Sequence, residues 1–180
     1  MKRAALEHII RACADIAADD EIIVIGSQAI LASFADPPEE LTVSNEADVY
    51  PKNHPARWEV IDGAIGEGSP FHDTFGYYAQ GVQEGTATLP LGWHTRLVPL
   101  RNENTRGATG LCLEVHDLCV SKYVAGREKD RRYVRAAHRS GLVNESTLLE
   151  RLTTTPITDE LRERLVALVK LDARECASGG

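Results

Sequence analysis

Glu46 and Asp48, one alanine apart in LTVSNEADVYP, are the pair whose types and spacing offer chemistry. Side chains two apart on a β-strand project from the same face, so the two carboxylates would stand together. Such a pair is costly unless a cation neutralises it. Magnesium prefers oxygen ligands and is commonly held by one or two carboxylates while substrate phosphates complete its shell. Upstream, VIGSQAIL puts Gly26-Ser27 at a strand-to-helix corner. There a glycine admits close approach of a phosphate, a helix N-terminus presents N–H groups, and a serine adds a hydroxyl donor. Together these are the parts needed for phosphoryl or nucleotidyl transfer. Each part alone has a plainer use, Ser27 as an N-cap and the carboxylates as a solvated strand face. Their joint occurrence in this order favours the chemistry.

The elements that must position them follow from hydrophobic patterning. Residues 3–18 carry Ala4, Ile9, Ile10, Cys13, Ile16 and Ala17 on one helical stripe, and Asp19-Asp20 end it. The β-branched run Ile22 to Ile25 predicts a central strand, and a helix over 28–34 stops at Asp36-Pro37-Pro38. A second strand over 43–50 carries the carboxylates, and a helix over 54–66 follows. The stretch GEGSPFHDTFGYYAQGVQEG predicts a strand near 75–80 with loops on either side. Within it His72, Asp73 and Tyr77 either shape an acceptor pocket or belong to buried aromatic packing. Strands over 95–100 and 111–115 flank the polar turn RNENTRGATG, whose Arg101, Asn104 and Arg106 are phosphate ligands or plain loop residues. From Asp117 the chain turns helical, and about the last eight residues are expected to fray.

The reading is therefore an α/β (α+β) fold, a mixed β-sheet flanked by helices with a C-terminal helical extension. Residues 1–125 form the core, and residues 126–176 form the extension, packed on the same domain. At 180 residues, with 43% hydrophobic and 26% charged content, one globular domain is the expectation. No segment approaches the apolar length that spans a bilayer, and the N-terminus reads as an amphipathic helix, so a cytoplasmic location without membrane partners is expected. Four scattered cysteines and six histidines lack zinc-ligand spacing, so reduced, mostly buried thiols are expected and a zinc hydrolase is disfavoured. A net charge of −7 disfavours a generic nucleic-acid coat.

The late segment DLCVSKYVAGREKD adds cations. Lys122 and Lys129 are seven apart and would share one helical face along a phosphate path, with Asp117 as N-cap and Asp130 paired to Arg127 or Lys122. The run REKDRRYVRAAHR is strongly basic. It is either an RNA-acceptor surface or a helix neutralised by Glu150, Glu160 and Glu163.

Gly26-Ser27 after an apolar strand, Glu46-x-Asp48 on the next, and the pattern D-L-x-x-x-K-x-x-A-G-R-x-K-D resemble the minimal nucleotidyltransferase fold. The likeness extends over about residues 20–140 and is strongest to AbiEii-type toxins and related nucleotidyltransferase-like proteins of bacteria. The resemblance implies that Gly26 and Ser27 hold a nucleoside triphosphate and that Glu46 and Asp48 bind Mg2+. It implies that Lys122 contacts nucleotide phosphates, while Lys129 joins it by spacing. A third carboxylate of this superfamily falls on Glu114, read as a strand residue facing the pair, or on Asp117. The resemblance further implies a tRNA or protein acceptor and a role in a toxin–antitoxin pair with a cognate partner. Two departures, a glutamate where the pattern has aspartate and a longer gap after Gly26-Ser27, favour the alternative of a catalytically silent nucleotide-binding or protein-interaction module.

Overall fold

The computed structural model describes residues 1–177. It divides into two compact units, one of Met1–Thr86 with Leu97–Leu113, the other of Ala87–Arg96 with the chain from Glu114 onward.

The first unit holds α1 (Arg3–Ala17), β1 (Glu21–Val24), α2 (Ile30–Ser33), β2 (Glu46–Pro51), α3 (Trp58–Ile65), α4 (Pro70–Phe75), β3 (Tyr78–Gly81), β4 (Val98–Leu100) and β5 (Thr109–Cys112). Its mixed five-stranded sheet runs β3-β2-β1-β5-β4. The β1/β5 and β2/β3 pairs are parallel, and β1/β2 and β4/β5 are antiparallel. The expected α/β class is what forms.

Register fixes which face each side chain takes. Ile22, Val24 and Val49 share a face with Gly110, where a Cβ would stand 2.3 Å from Ile10 Cδ1 of α1. Gly81, opposite Val49, takes the same face, and a Cβ there would meet the Trp58 carbonyl of α3 at 2.1 Å. Ala47 and Val49, both buried, therefore look toward the α1 and α3 side. Glu46 and Asp48 occupy the opposite face at intermediate exposure.

Several local expectations shift. On α1 the buried stripe runs through Leu6, Ile9, Ile10, Cys13, Ala14 and Ala17, while Ala4 is exposed. Glu7 is also buried, because Asn102 and Asn104 each donate to its carboxylate at 2.7 Å. Asn104 of the polar turn is thus a structural residue. Asp19 does more than end α1. Its carboxylate accepts backbone N–H bonds from Glu21, Asn53 and His54, clamping the start of β1 to the end of β2. Residues 70–75, read as loop, form α4, since Ser69 caps it, Pro70 opens it and Gly76 at φ 73° closes it. Consequently β3 starts at Tyr78.

The second unit holds α5 (Val115–Ala125), α6 (Glu128–Arg139), α7 (Glu145–Thr153) and α8 (Asp159–Ala177). α8 continues through most of the tail expected to fray, and residues 178–180 of that expectation lie outside the described residues. All four cysteines are free, with Cys13, Cys112 and Cys119 buried. Among the described residues, no helix is long and apolar enough to cross a membrane.

Candidate functional site

The Gly26-Ser27 corner and the carboxylate strand meet. Ile25 N–H donates to the Asp48 carbonyl at 3.0 Å, extending the β1/β2 pairing one residue past the strand and setting Gly26 beside Asp48. A Cβ on Gly26 would lie 1.8 Å from Asp48 Oδ2 and 2.8 Å from Cγ. Gly26 has φ −85°, a conformation any residue adopts, so glycine is needed here for space. The long connection folds back on itself: Gln28, fully buried, donates from Nε2 to the Ser44 carbonyl at 3.1 Å, and Ser44 Oγ accepts from Glu46 N–H at 3.1 Å. The extra residues in the gap therefore do not part the corner from the carboxylates.

The helix expected over 28–34 is instead a 3-10 turn, Ser27–Ala29, running into the one-turn α2. Gly26 stands at the N-cap, and its carbonyl accepts from Ala29 N–H at 3.0 Å. So short a segment has little macrodipole, and any anion held here is held by local N–H groups and hydroxyls.

Strand β3 supplies what the sequence reading passed over. Tyr78 lies opposite Glu46 and Gln80 opposite Asp48. The Tyr78 hydroxyl donates to Glu46 Oε2 at 3.5 Å, and Gln80 Nε2 donates to Asp62 Oδ1 at 2.8 Å. Burial, reinforced by Glu46 and Glu67, pushes the Tyr78 phenol above its usual range, so it stays a donor. The alternation Y-A-Q-G carries the signal for this strand, and a strand starting at Phe75 masks it. Tyr77 looks elsewhere. Its hydroxyl meets His8 Nδ1 at 2.9 Å within a cluster with Phe71 and Phe75, which is aromatic packing against α1.

Glu46 and Asp48 form an oxygen-only donor set, with Asp48 seated in the space a Cβ on Gly26 would take, and that suits magnesium. Among the described residues no three His, Cys, Asp or Glu side chains form a group that would hold a metal, so a fit rests on the pair and on substrate oxygens.

The remaining expected site residues belong to the second unit. Glu114 is not on a strand, because β5 ends at Cys112 and Glu114 is the N-cap of α5. Its carboxylate accepts from His116 N–H at 3.0 Å and meets His116 Nδ1 at 2.7 Å. Burial would raise its pKa, but these His116 contacts outweigh burial and hold it below the usual carboxylate range. Asp117, read as the cap, is instead fully buried and bound bidentately by Arg96, with Arg151 Nε 3.2 Å away.

Lys122 pairs with Asp130 at 3.4 Å and lies 4.3 Å above the Tyr133 ring. Arg127 Nε donates to the same Asp130 at 2.6 Å. Lys129, exposed, does not share a helical face with Lys122, because Gly126 at φ 65° ends α5 and α6 begins afresh at Glu128. On the basic helix, Arg131 and Arg135 pair with buried Asp172 of α8, and Arg135 also with Glu175. Arg132 pairs with Glu128. These partners replace the expected Glu150, Glu160 and Glu163.

The family model described as "Nucleotidyltransferase of unknown function (DUF6036)" matches residues 4–174. No curated protein and no solved structure matches the chain.

Proposed function

Because the chain belongs to this nucleotidyltransferase family, we propose that it moves a nucleoside monophosphate from a nucleoside triphosphate to an acceptor, using Glu46, Asp48 and the Gly26-Ser27 corner. The observation that carries this reading is the fit of Asp48 against the bare Cα of Gly26. That contact puts a carboxylate for a divalent cation beside a backbone able to approach phosphate closely.

In this reading Glu46 and Asp48 hold Mg2+, which when bound supplies charge neutralisation and orientation of the triphosphate. Gly26 admits the Asp48 carboxylate to the corner, and Ser27 contributes the hydroxyl of the corner. An acceptor hydroxyl attacks the α-phosphorus, the bond from that phosphorus to the bridging oxygen breaks, the hydroxyl proton passes to solvent, and pyrophosphate leaves. The resemblance to AbiEii-type toxins supports a tRNA or protein side chain as acceptor and a cognate antitoxin as partner.

The test is transfer of an α-phosphate label to RNA and protein fractions with each nucleoside triphosphate and Mg2+. Glu46→Ala and Asp48→Ala are each expected to lower transfer at least 100-fold while thermal unfolding is unchanged. Wild-type turnover in both variants would sink the proposal. The silent-module reading is favoured by the absence of a third metal-holding side chain among the described residues. It expects nucleotide binding by calorimetry that is indifferent to Mg2+.

A further inference from the structure

In the stretch from Gly66 to Gly81, Phe71, Phe75 and Tyr77 pack against α1, which leaves His72 and Tyr78 to account for. The last part of the stretch is β3, parallel to β2, and register sets Tyr78 across from Glu46. The ring of Tyr78 lies 4.7 Å from that of His72. His72 is itself fixed, since Ser69 Oγ accepts its backbone N–H at 3.2 Å and its Nδ1 accepts from Gly68 N–H at 3.1 Å. The capped turn, α4 and the strand therefore deliver one phenol, braced from behind, to Oε2 of Glu46 at 3.5 Å.

Glutamate carries one methylene more than aspartate and one more rotatable bond. A longer carboxylate two residues from a second one is pushed away from it, toward solvent, unless a donor holds it. Partners of this kind, hydrogen-bonded to a metal-holding side chain, orient it and typically alter metal affinity 10–100-fold.

We infer that Tyr78 is the positioning residue of the carboxylate pair: its hydroxyl fixes one oxygen of Glu46 so that the other is available to a divalent cation. The inference rests on the reading of Glu46 and Asp48 as cation-holding groups. It gives the glutamate a cause, since a phenol at this place suits the longer side chain and would fall short of an aspartate.

The test is direct titration of the full chain with Mn2+ in the presence of a non-hydrolysable nucleoside triphosphate analogue, read by electron paramagnetic resonance. Tyr78→Phe keeps the ring against His72 and is expected to weaken Mn2+ about tenfold, with thermal unfolding unchanged. Glu46→Asp is expected to weaken Mn2+ as well, and Tyr78→Phe in that background to have no further effect. A merely structural role for Tyr78 would cost the same in both backgrounds. Full Mn2+ affinity in Tyr78→Phe, or an equal loss in the Glu46→Asp background, overturns the inference. Asp48→Ala separates the two levels. If wild-type binding disappears in Asp48→Ala and Tyr78→Phe still binds normally, only the positioning role falls. If wild type shows no Asp48-dependent binding, the underlying reading falls and the inference with it.

Discussion

Asp48 Oδ2 occupies the space in which any side chain at position 26 would begin: a Cβ there would be 1.8 Å away. Real non-bonded atoms do not approach so closely, so either the carboxylate or the corner must move if that Cβ exists. The residue before the corner is fixed by the Ile25 N–H bond to the Asp48 carbonyl. The side chain of Asp48 is therefore the part that yields.

Gly26→Ala is predicted to rotate the Asp48 carboxylate out of place. Relief by side-chain movement keeps the stability cost to about 1–3 kcal/mol, the usual range for an overpacked site. Nucleotide-dependent Mn2+ binding should drop at least tenfold, whereas the exposed Gly63→Ala, with open space around its Cβ, should leave it unchanged. Titration of both variants, with unfolding curves beside them, checks the contrast.

Asp19 gives the first unit an acid-sensitive clamp. Burial would raise its carboxyl, yet the Asn53 amide and the backbone N–H groups of Glu21, Asn53 and His54 outweigh that and lower it below its ordinary value. A folded pKa below the unfolded value of about 3.9 means that the stabilisation is present above that pH and is lost as pH falls through the folded value. Asp19→Asn should lose roughly 2 kcal/mol at pH 7, in line with bonds to a charged acceptor. The difference from wild type should narrow as pH falls below about 4. Urea denaturation at pH 7 and pH 3 checks both parts, and an equal gap at the two pH values would refute the assignment.

What could be read in the chain alone divides along physical lines. The mixed sheet with flanking helices was legible because Ile22 to Val24 and the alternation through Val49 carry their burial in their composition. The carboxylate pair was legible because i,i+2 on a strand fixes a face without knowledge of the fold. The meeting of Gly26 with Asp48 was not, since it depends on the antiparallel β1/β2 register, which no local pattern specifies. Glu114 took the cap expected of Asp117 for a similar reason. Either carboxylate can cap a helix locally, and the guanidiniums of Arg96 and Arg151, both distant in sequence, decide that Asp117 goes inside. Lys122 and Lys129 lost their common face to Gly126, whose positive φ a glycine permits but does not require.

The same distinction between buried and exposed charge predicts which ion pairs matter in the second unit. Asp117 is fully buried against both Arg96 and Arg151, so Asp117→Ala takes the shared carboxylate from two guanidiniums and should cost about 3–5 kcal/mol. Glu128 pairs with Arg132 in solvent, both side chains about four-fifths exposed, and Glu128→Ala should fall within about 0.5 kcal/mol of wild type. Urea midpoints of the two variants should differ accordingly.

Thiol chemistry should report on the same burial. Burial pushes the Cys112 and Cys119 thiols up to about 12, and Cys13, equally buried, is raised as well. At pH 8 a thiol of that kind is ionised to roughly one part in ten thousand, and the thiolate is the reacting form. Reagent must also reach the sulfur, which for these three requires opening of the structure. Cys176 near the end of α8 is partly exposed, its Sγ 3.6 Å from the Arg135 carbonyl. An aromatic disulfide reagent at pH 8 should therefore titrate one thiol per native chain quickly and all four in urea. The slow phase should accelerate in Asp117→Ala, whose destabilisation opens the surroundings of Cys119 on the same helix. Two or more fast thiols in the native wild type would contradict the burial of Cys13, Cys112 and Cys119.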